Sequence, residues 1–249
     1  MRTLLTLCFA ALLAAQNPPA VKNGQLETRA FSGDLAAQLK SDKATWFGYE
    51  IKKERKSDQW CEGQQQNPIK LEGSDAAAIL FRVENNQVEK LKVYPLECAL
   101  DAGGLPFVWL TGVSAAASLA YLKSMPTDRA IFAISQHAGP EATDILIDKS
   151  KNDTSTHVRE QAVFWLAQRA GAKSAAAIVD AIVNDPDTSV KKKAVFALSQ
   201  LPHDEGVPKL IEVARTQRNP EVRKQAFFWL GQTHDPRAIK YIEDVLTTP

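Results

Sequence analysis

At 249 residues, 45% of them apolar and 24% charged, the chain is long enough for one or two domains with cores of their own, and it lacks the composition of a disordered protein. Its 30 basic and 29 acidic residues leave a net charge of +1, so no global field points to nucleic acid or to an anionic membrane as partner.

The opening MRTLLTLCFAALLAAQ sets Arg2 before an apolar run from Leu4 to Leu13 and small residues at Ala14 and Ala15. That is the layout of a secretory signal peptide over 1–15, too short to span a bilayer as a mature helix. It predicts an exported protein, periplasmic or secreted, with no stable membrane span after cleavage. An uncleaved anchor and a lipoprotein signal through Cys8 stay open beside it. Cleavage leaves Cys61 and Cys98, and an even pair in an oxidising compartment reads as one disulfide. The loop it closes, about 38 residues, corresponds to about 4 kcal/mol in the chain-entropy account. A metal or redox role has no second Cys or nearby His at ligand spacing to support it.

Residues 16–24 contain NPPAVKNG and read as a linker. An α+β domain is expected over 25–111. Its first helix is GDLAAQLKS with Asp34 as cap, and a strand follows at TWFGYEIKK, then a polar loop around Cys61. A hairpin pairs Ile79–Glu84 with Val88–Tyr94 about Asn85 and Asn86, because asparagine tolerates the positive φ of a tight turn. Over 112–126, Ser114 caps a helix that Pro126 ends, expected to cover the open apolar end of a helical stack.

Residues 127–249 are periodic. Ala130, Ala162, Ala194 and Ala226 share one register at a step of about 32 residues, as do Phe132, Phe164, Phe196 and Phe228, and Gln136, Gln168, Gln200 and Gln232. Val158, Ala162 and Leu166 lie on one helical face, with Val190, Ala194, Leu198 and Val222, Ala226, Leu230 in step. Leu146, Ile178, Leu210 and Ile242 mark a second helix in each unit. The fold class is therefore α-rich: a small disulfide-bonded α+β domain followed by an αα solenoid of about four repeats. The phrases VREQAVFWLAQ, VRKQAFFWLGQ and HDPRAIKYIEDVL resemble HEAT repeats of the short bacterial type, including the PBS-lyase HEAT-like repeats. Pro126 departs from that pattern where later repeats carry Val158, Val190 and Val222. The leading domain, with WFGYEI, WCEG and CALDAGG, resembles the front part of secreted bacterial HEAT proteins and brings no function with it.

Arg159, Lys191 and Arg223 recur at the start of the first helices, against the macrodipole, and read as ion pairs with residues such as Asp153, Asp185 and Glu221 or as a site for acidic partners. The Phe column is expected to pack between repeats, with an open aromatic strip as the alternative, and Trp165 and Trp229 read as core. His137, His203 and His234 sit in the turns, about 10 Å apart from repeat to repeat, too far to share a metal. No nucleophile elbow, zinc-protease helix, phosphate loop or dinucleotide turn is present, so catalytic residues, cofactor and metal are all expected to be none. The function expected is an exported, non-catalytic scaffold that binds a protein or peptide. The binding surface is placed on the second helices, at Asp144, Lys173, Lys209 and Lys240, where residues vary on a repeated frame. The resemblance also implies an alternative, a chromophore-lyase-like enzyme, and the leading domain could instead bind a small ligand.

Overall fold

The computed structural model describes residues 18–57, 74–125, 127–169 and 171–247. The expected signal segment and the loop carrying Cys61 lie outside these residues. The described chain begins with β1 (Val21–Lys22), β2 (Leu26–Ala30), α1 (Leu35–Gln38), β3 (Thr45–Ser57), β4 (Ser74–Glu84) and β5 (Gln87–Pro95). Then come β6 (Leu100–Asp101), β7 (Phe107–Thr111) and α2 (Ala115–Ser124). Helix pairs follow: α3 (Asp128–Gln136) with α4 (Pro140–Asn152), and α5 (Thr156–Ala167) with α6 (Ala172–Asn184). The last two are α7 (Thr188–Ser199) with α8 (His203–Thr216), and α9 (Pro220–Thr233) with α10 (Pro236–Thr247).

The expected hairpin is β4–β5, with Asn85 and Asn86 at φ of 50° and 59°, the left-handed pair that a two-residue turn demands. It forms part of a five-stranded sheet in the order β2-β7-β3-β4-β5. In that sheet β7 lies parallel to both neighbours and β3, β4 and β5 are antiparallel. Residues 21–22, read as linker, are instead a strand paired with β6, and the amide of Ala102 donates to the carbonyl of Lys22 at 2.9 Å. Gly24 makes this possible. A Cβ there would stand 2.5 Å from that of Ala102.

Asp34 and Ser114 cap α1 and α2 as expected, accepting from the amides of Ala37 and Ala117. Helix α3 starts only at Asp128, capped by Thr127, and has nine residues where α5 and α7 have twelve. The shortfall falls where Pro126 interrupts the sequence pattern. The stripe residues Ala162, Leu166, Val190, Ala194, Leu198, Val222 and Ala226 are fully buried or nearly so. Side-chain links join successive first helices near their N-termini: His157 to Asp128, Thr156 to Asp187, and Asn219 to Thr188. First helices approach one another closely along the array, whereas α6 and α8 meet slightly at most. The first helices therefore form the more closely packed layer of the stack.

Sheet and solenoid share a core. One apolar cluster runs from Leu35 through Phe47, Phe81 and Leu110 of the sheet and Leu119 of α2 to Ala238 in α10. Helix α2 is held between the two parts by a buried relay: Tyr49 Oη to Ser118 Oγ at 2.8 Å, and Ser118 Oγ to His137 Nε2 at 2.8 Å. His137 Nδ1 lies 2.9 Å from the carbonyl of Ala133. A carbonyl only accepts, so Nδ1 carries the proton, Nε2 accepts from Ser118, and Ser118 accepts from Tyr49. Burial pushes the His137 pKa down to about 4; the bond to Ala133 opposes this and the Arg169 charge adds to it.

Candidate functional site

The Phe column does pack between repeats, but it is not buried. Phe132, Phe164 and Phe196 are half-buried and Phe228 is 55% exposed. Trp165 and Trp229, read as core, are also only half-buried, because they fill the gaps between successive phenylalanines at the surface. Ring centroids run Phe132 to Trp165 at 5.0 Å, Trp165 to Phe164 at 4.9 Å, and Phe164 to Phe196 at 6.1 Å with the planes 3° apart. They continue from Phe196 to Trp229 at 5.0 Å and from Trp229 to Phe228 at 5.0 Å. The result is a continuous aromatic strip across all four first helices, with Lys193 Nζ 4.9 Å from the Phe164 centroid and 5.4 Å from that of Phe196.

At its Phe132 end the strip opens into a groove of about 600 Å³. Five consecutive residues of β5, Lys90 to Tyr94, form one wall, and Arg129, Phe132 and Trp165 line the other. Strand β5 is an outer strand of the sheet. Among the described residues it takes backbone hydrogen bonds from β4 and from no other element. Lys90 and Arg129 are exposed, and neither they nor Lys193 has a carboxylate within ion-pair distance among the described residues. Asp128, also on the rim, is engaged by His157 at 3.3 Å.

The second-helix face differs. Asp144 and Lys173 are brought together in an exposed pair at 3.3 Å, while Lys209 lies 3.9 Å from Glu205 and Lys240 3.1 Å from Asp244. Lys123, Lys149 and Lys151 nearby are paired with Asp148, Asp153 and Asp180. Lysines on that face are thus already met by carboxylates from their own or the adjacent helix.

Of the basic register, Arg159 is structural. It is 6% exposed, grips Asp185 through Nε and Nη2 at 2.8 and 3.2 Å, reaches Asp187, and donates to the carbonyl of Asp153. Its carboxylate partner is the Asp at the far end of its own repeat rather than the one before it. The Asp185 side-chain bond comes first among the causes that hold the Arg159 pKa up. Lys191 donates to the carbonyl of Val183, and Arg223 is exposed. His137 ends α3, His203 begins α8 and His234 ends α9, and no group of three potential metal ligands forms among the described residues.

Sequence reasoning missed Arg169, which falls outside every repeated column. Its side chain is 2% exposed and donates to the carbonyls of Ser135, His137 and Gly139 at 2.9, 2.9 and 2.7 Å. It also reaches Thr143 Oγ1 at 2.7 Å and Glu54 of β3 at 3.1 Å. Gly139 turns this corner at a φ of 99°, a conformation open to glycine.

The segment 175–249 matches the family model for HEAT repeats. That segment, from within α6 to the end, is the part of the helical array for which HEAT repeats are shown. Among solved structures, a chain from the complex of CpcE and CpcF of phycocyanin lyase from Nostoc sp. PCC7120 is similar over 54% of this chain and 91% of its own. The identity is 18% and the TM-score 0.41. YibA of E. coli is similar over 49% of each chain, at 23% identity and a TM-score of 0.35, so the match spans about half the length of that protein. No curated protein matches the sequence. Among the described residues no helix is long and apolar enough to cross a membrane.

Proposed function

We propose that this chain is an exported, non-catalytic scaffold that binds a polypeptide on the first-helix face of its HEAT-like array. The observation that carries the reading is the aromatic strip from Phe132 to Phe228, half-exposed and repeated in every unit. Burial alone does not require four phenylalanines in register at positions that remain in contact with water, whereas a binding surface gains from rigid aromatic anchors. The cations beside the strip lack carboxylate partners among the described residues, while those near Asp144, Lys173, Lys209 and Lys240 have them. This contrast favours the first helices as the binding face.

Export rests on the leader at 1–15, and with it goes the proposal that Cys98, buried at 4% exposure, is bonded to Cys61. The small-ligand reading has its best support in a second cavity lined by Trp46, Tyr94 and Phe107. At about 230 Å³ it is below the range of about 300–1,000 Å³ usual for ligand pockets. The test is capture of partners from periplasmic extract by the full mature chain, compared with Phe164→Ser/Phe196→Ser and Lys209→Glu/Lys240→Glu. Loss with the first pair alone supports the reading. Loss with the second pair alone, or covalent transfer of a bilin to an acceptor protein, overturns it.

A further inference from the structure

We propose that the free edge of β5 and the Phe132–Trp165 end of the aromatic strip form one groove that takes an acidic polypeptide segment in extended conformation, added to the sheet as a sixth strand. The inference rests on the scaffold reading above and names the chemistry of the partner.

The first argument is geometric. A wall made by five consecutive strand residues presents both side-chain directions, so the groove runs along the edge of β5 and not over one of its faces. An edge strand exposes a row of N–H and C=O groups that pairs with any chain laid beside it. Opposite that row, Phe132 and Trp165 offer an apolar wall where alternate side chains of an added strand can bury. Five residues extend roughly 17 Å, so a short segment suffices.

The second argument is charge. Lys90, Lys92 and Arg129 line the groove, and Lys193 continues the positive character along the strip. The carboxylate of Asp128 is turned to His157. An incoming segment with acidic residues meets these cations, whereas a basic one is repelled. The same lysines select against a second copy of this chain, because an antiparallel β5–β5 pairing would set Lys90 and Lys92 of one copy against those of the other.

The probe is a set of fluorescein-labelled ten-residue peptides titrated into the full mature chain by anisotropy. One alternates glutamate with leucine and phenylalanine, the second replaces each glutamate by lysine, and the third is the acidic peptide N-methylated at alternate amides. The acidic peptide should bind, more weakly as salt rises, and both other peptides should bind at least about tenfold more weakly. Lys90→Glu/Lys92→Glu, exposed changes that leave the core intact, should weaken the acidic peptide by at least about tenfold. Binding that is indifferent to N-methylation overturns the strand addition, and binding unchanged in the Lys90→Glu/Lys92→Glu variant overturns the groove. Self-association of the wild type that this variant abolishes also overturns the proposal, since a second copy would then be the occupant. Partner capture lost with Phe164→Ser/Phe196→Ser but kept with Lys90→Glu/Lys92→Glu leaves the scaffold reading standing and defeats this one.

Discussion

Replacing Arg169 by alanine should destabilise the protein by about 3–5 kcal/mol. The side chain is 2% exposed and supplies donors to three carbonyls at the end of α3 and the turn after it, to Thr143 and to Glu54. Burial lowers its pKa, and the Glu54 carboxylate counters that. Each buried carbonyl stripped of its donor costs about 1–3 kcal/mol, and partial access of water to Gly139 reduces the sum. Glu54 is one-third exposed on its side chain and can be rehydrated, so Glu54→Gln should cost about 1 kcal/mol or less. Lysine at 169 keeps the charge but not the planar fork, and should recover only part of the loss. Urea melts of the three variants give the ranking, and hydrogen exchange should show opening concentrated over residues 134–143 in Arg169→Ala. A loss below about 1 kcal/mol for Arg169→Ala, or an equal loss for Glu54→Gln, would refute the reasoning that the guanidinium closes this corner.

Leu198→Ala should cost about 2–5 kcal/mol, because the side chain is fully buried on the central stripe, whereas Leu246→Ala should change urea melts little at 80% exposure. His137, neutral in the fold with its pKa near 4 against 6.5 for the free side chain, contributes stability that is complete above pH 6.5 and is lost as pH falls toward 4. The loss is about 3 kcal/mol, so His137→Gln should flatten the wild-type stability profile between pH 7 and pH 4. Thiol titration of the protein isolated from an oxidising compartment, under denaturing, non-reducing conditions, should find no reactive thiol, and two would contradict the proposed Cys61–Cys98 bond.

The helical repeats were legible because buried columns recur at a fixed step, and Val190, Ala194 and Leu198 are all at 0% exposure. The hairpin was legible from two asparagines between apolar runs. Strand β7 was not, since FVWLT is buried almost throughout and shows no alternation, as expected of a strand with parallel neighbours on both sides. Strand β2 was missed for the opposite reason: LETRA is exposed along its length and has no apolar face. The repeat columns marked the aromatic strip without giving its exposure, because a half-buried and a fully buried phenylalanine recur equally well. The groove was out of reach, since Lys90 and Phe132 meet only once the sheet has docked on α3.

The position of β7 has a kinetic consequence. It is the last strand to leave the ribosome, yet it lies between β2 and β3, with Phe107 paired to both Leu26 and Trp46. The β3–β4–β5 meander can form from near neighbours in sequence, but β2 has no place in the sheet until β7 has been inserted. Closing that long loop is slow compared with forming helix pairs, whose contacts are local. Refolding should then show a fast helical phase by circular dichroism and a slower phase in Trp109 fluorescence, with α2 and the first repeat locking only after the strand has arrived.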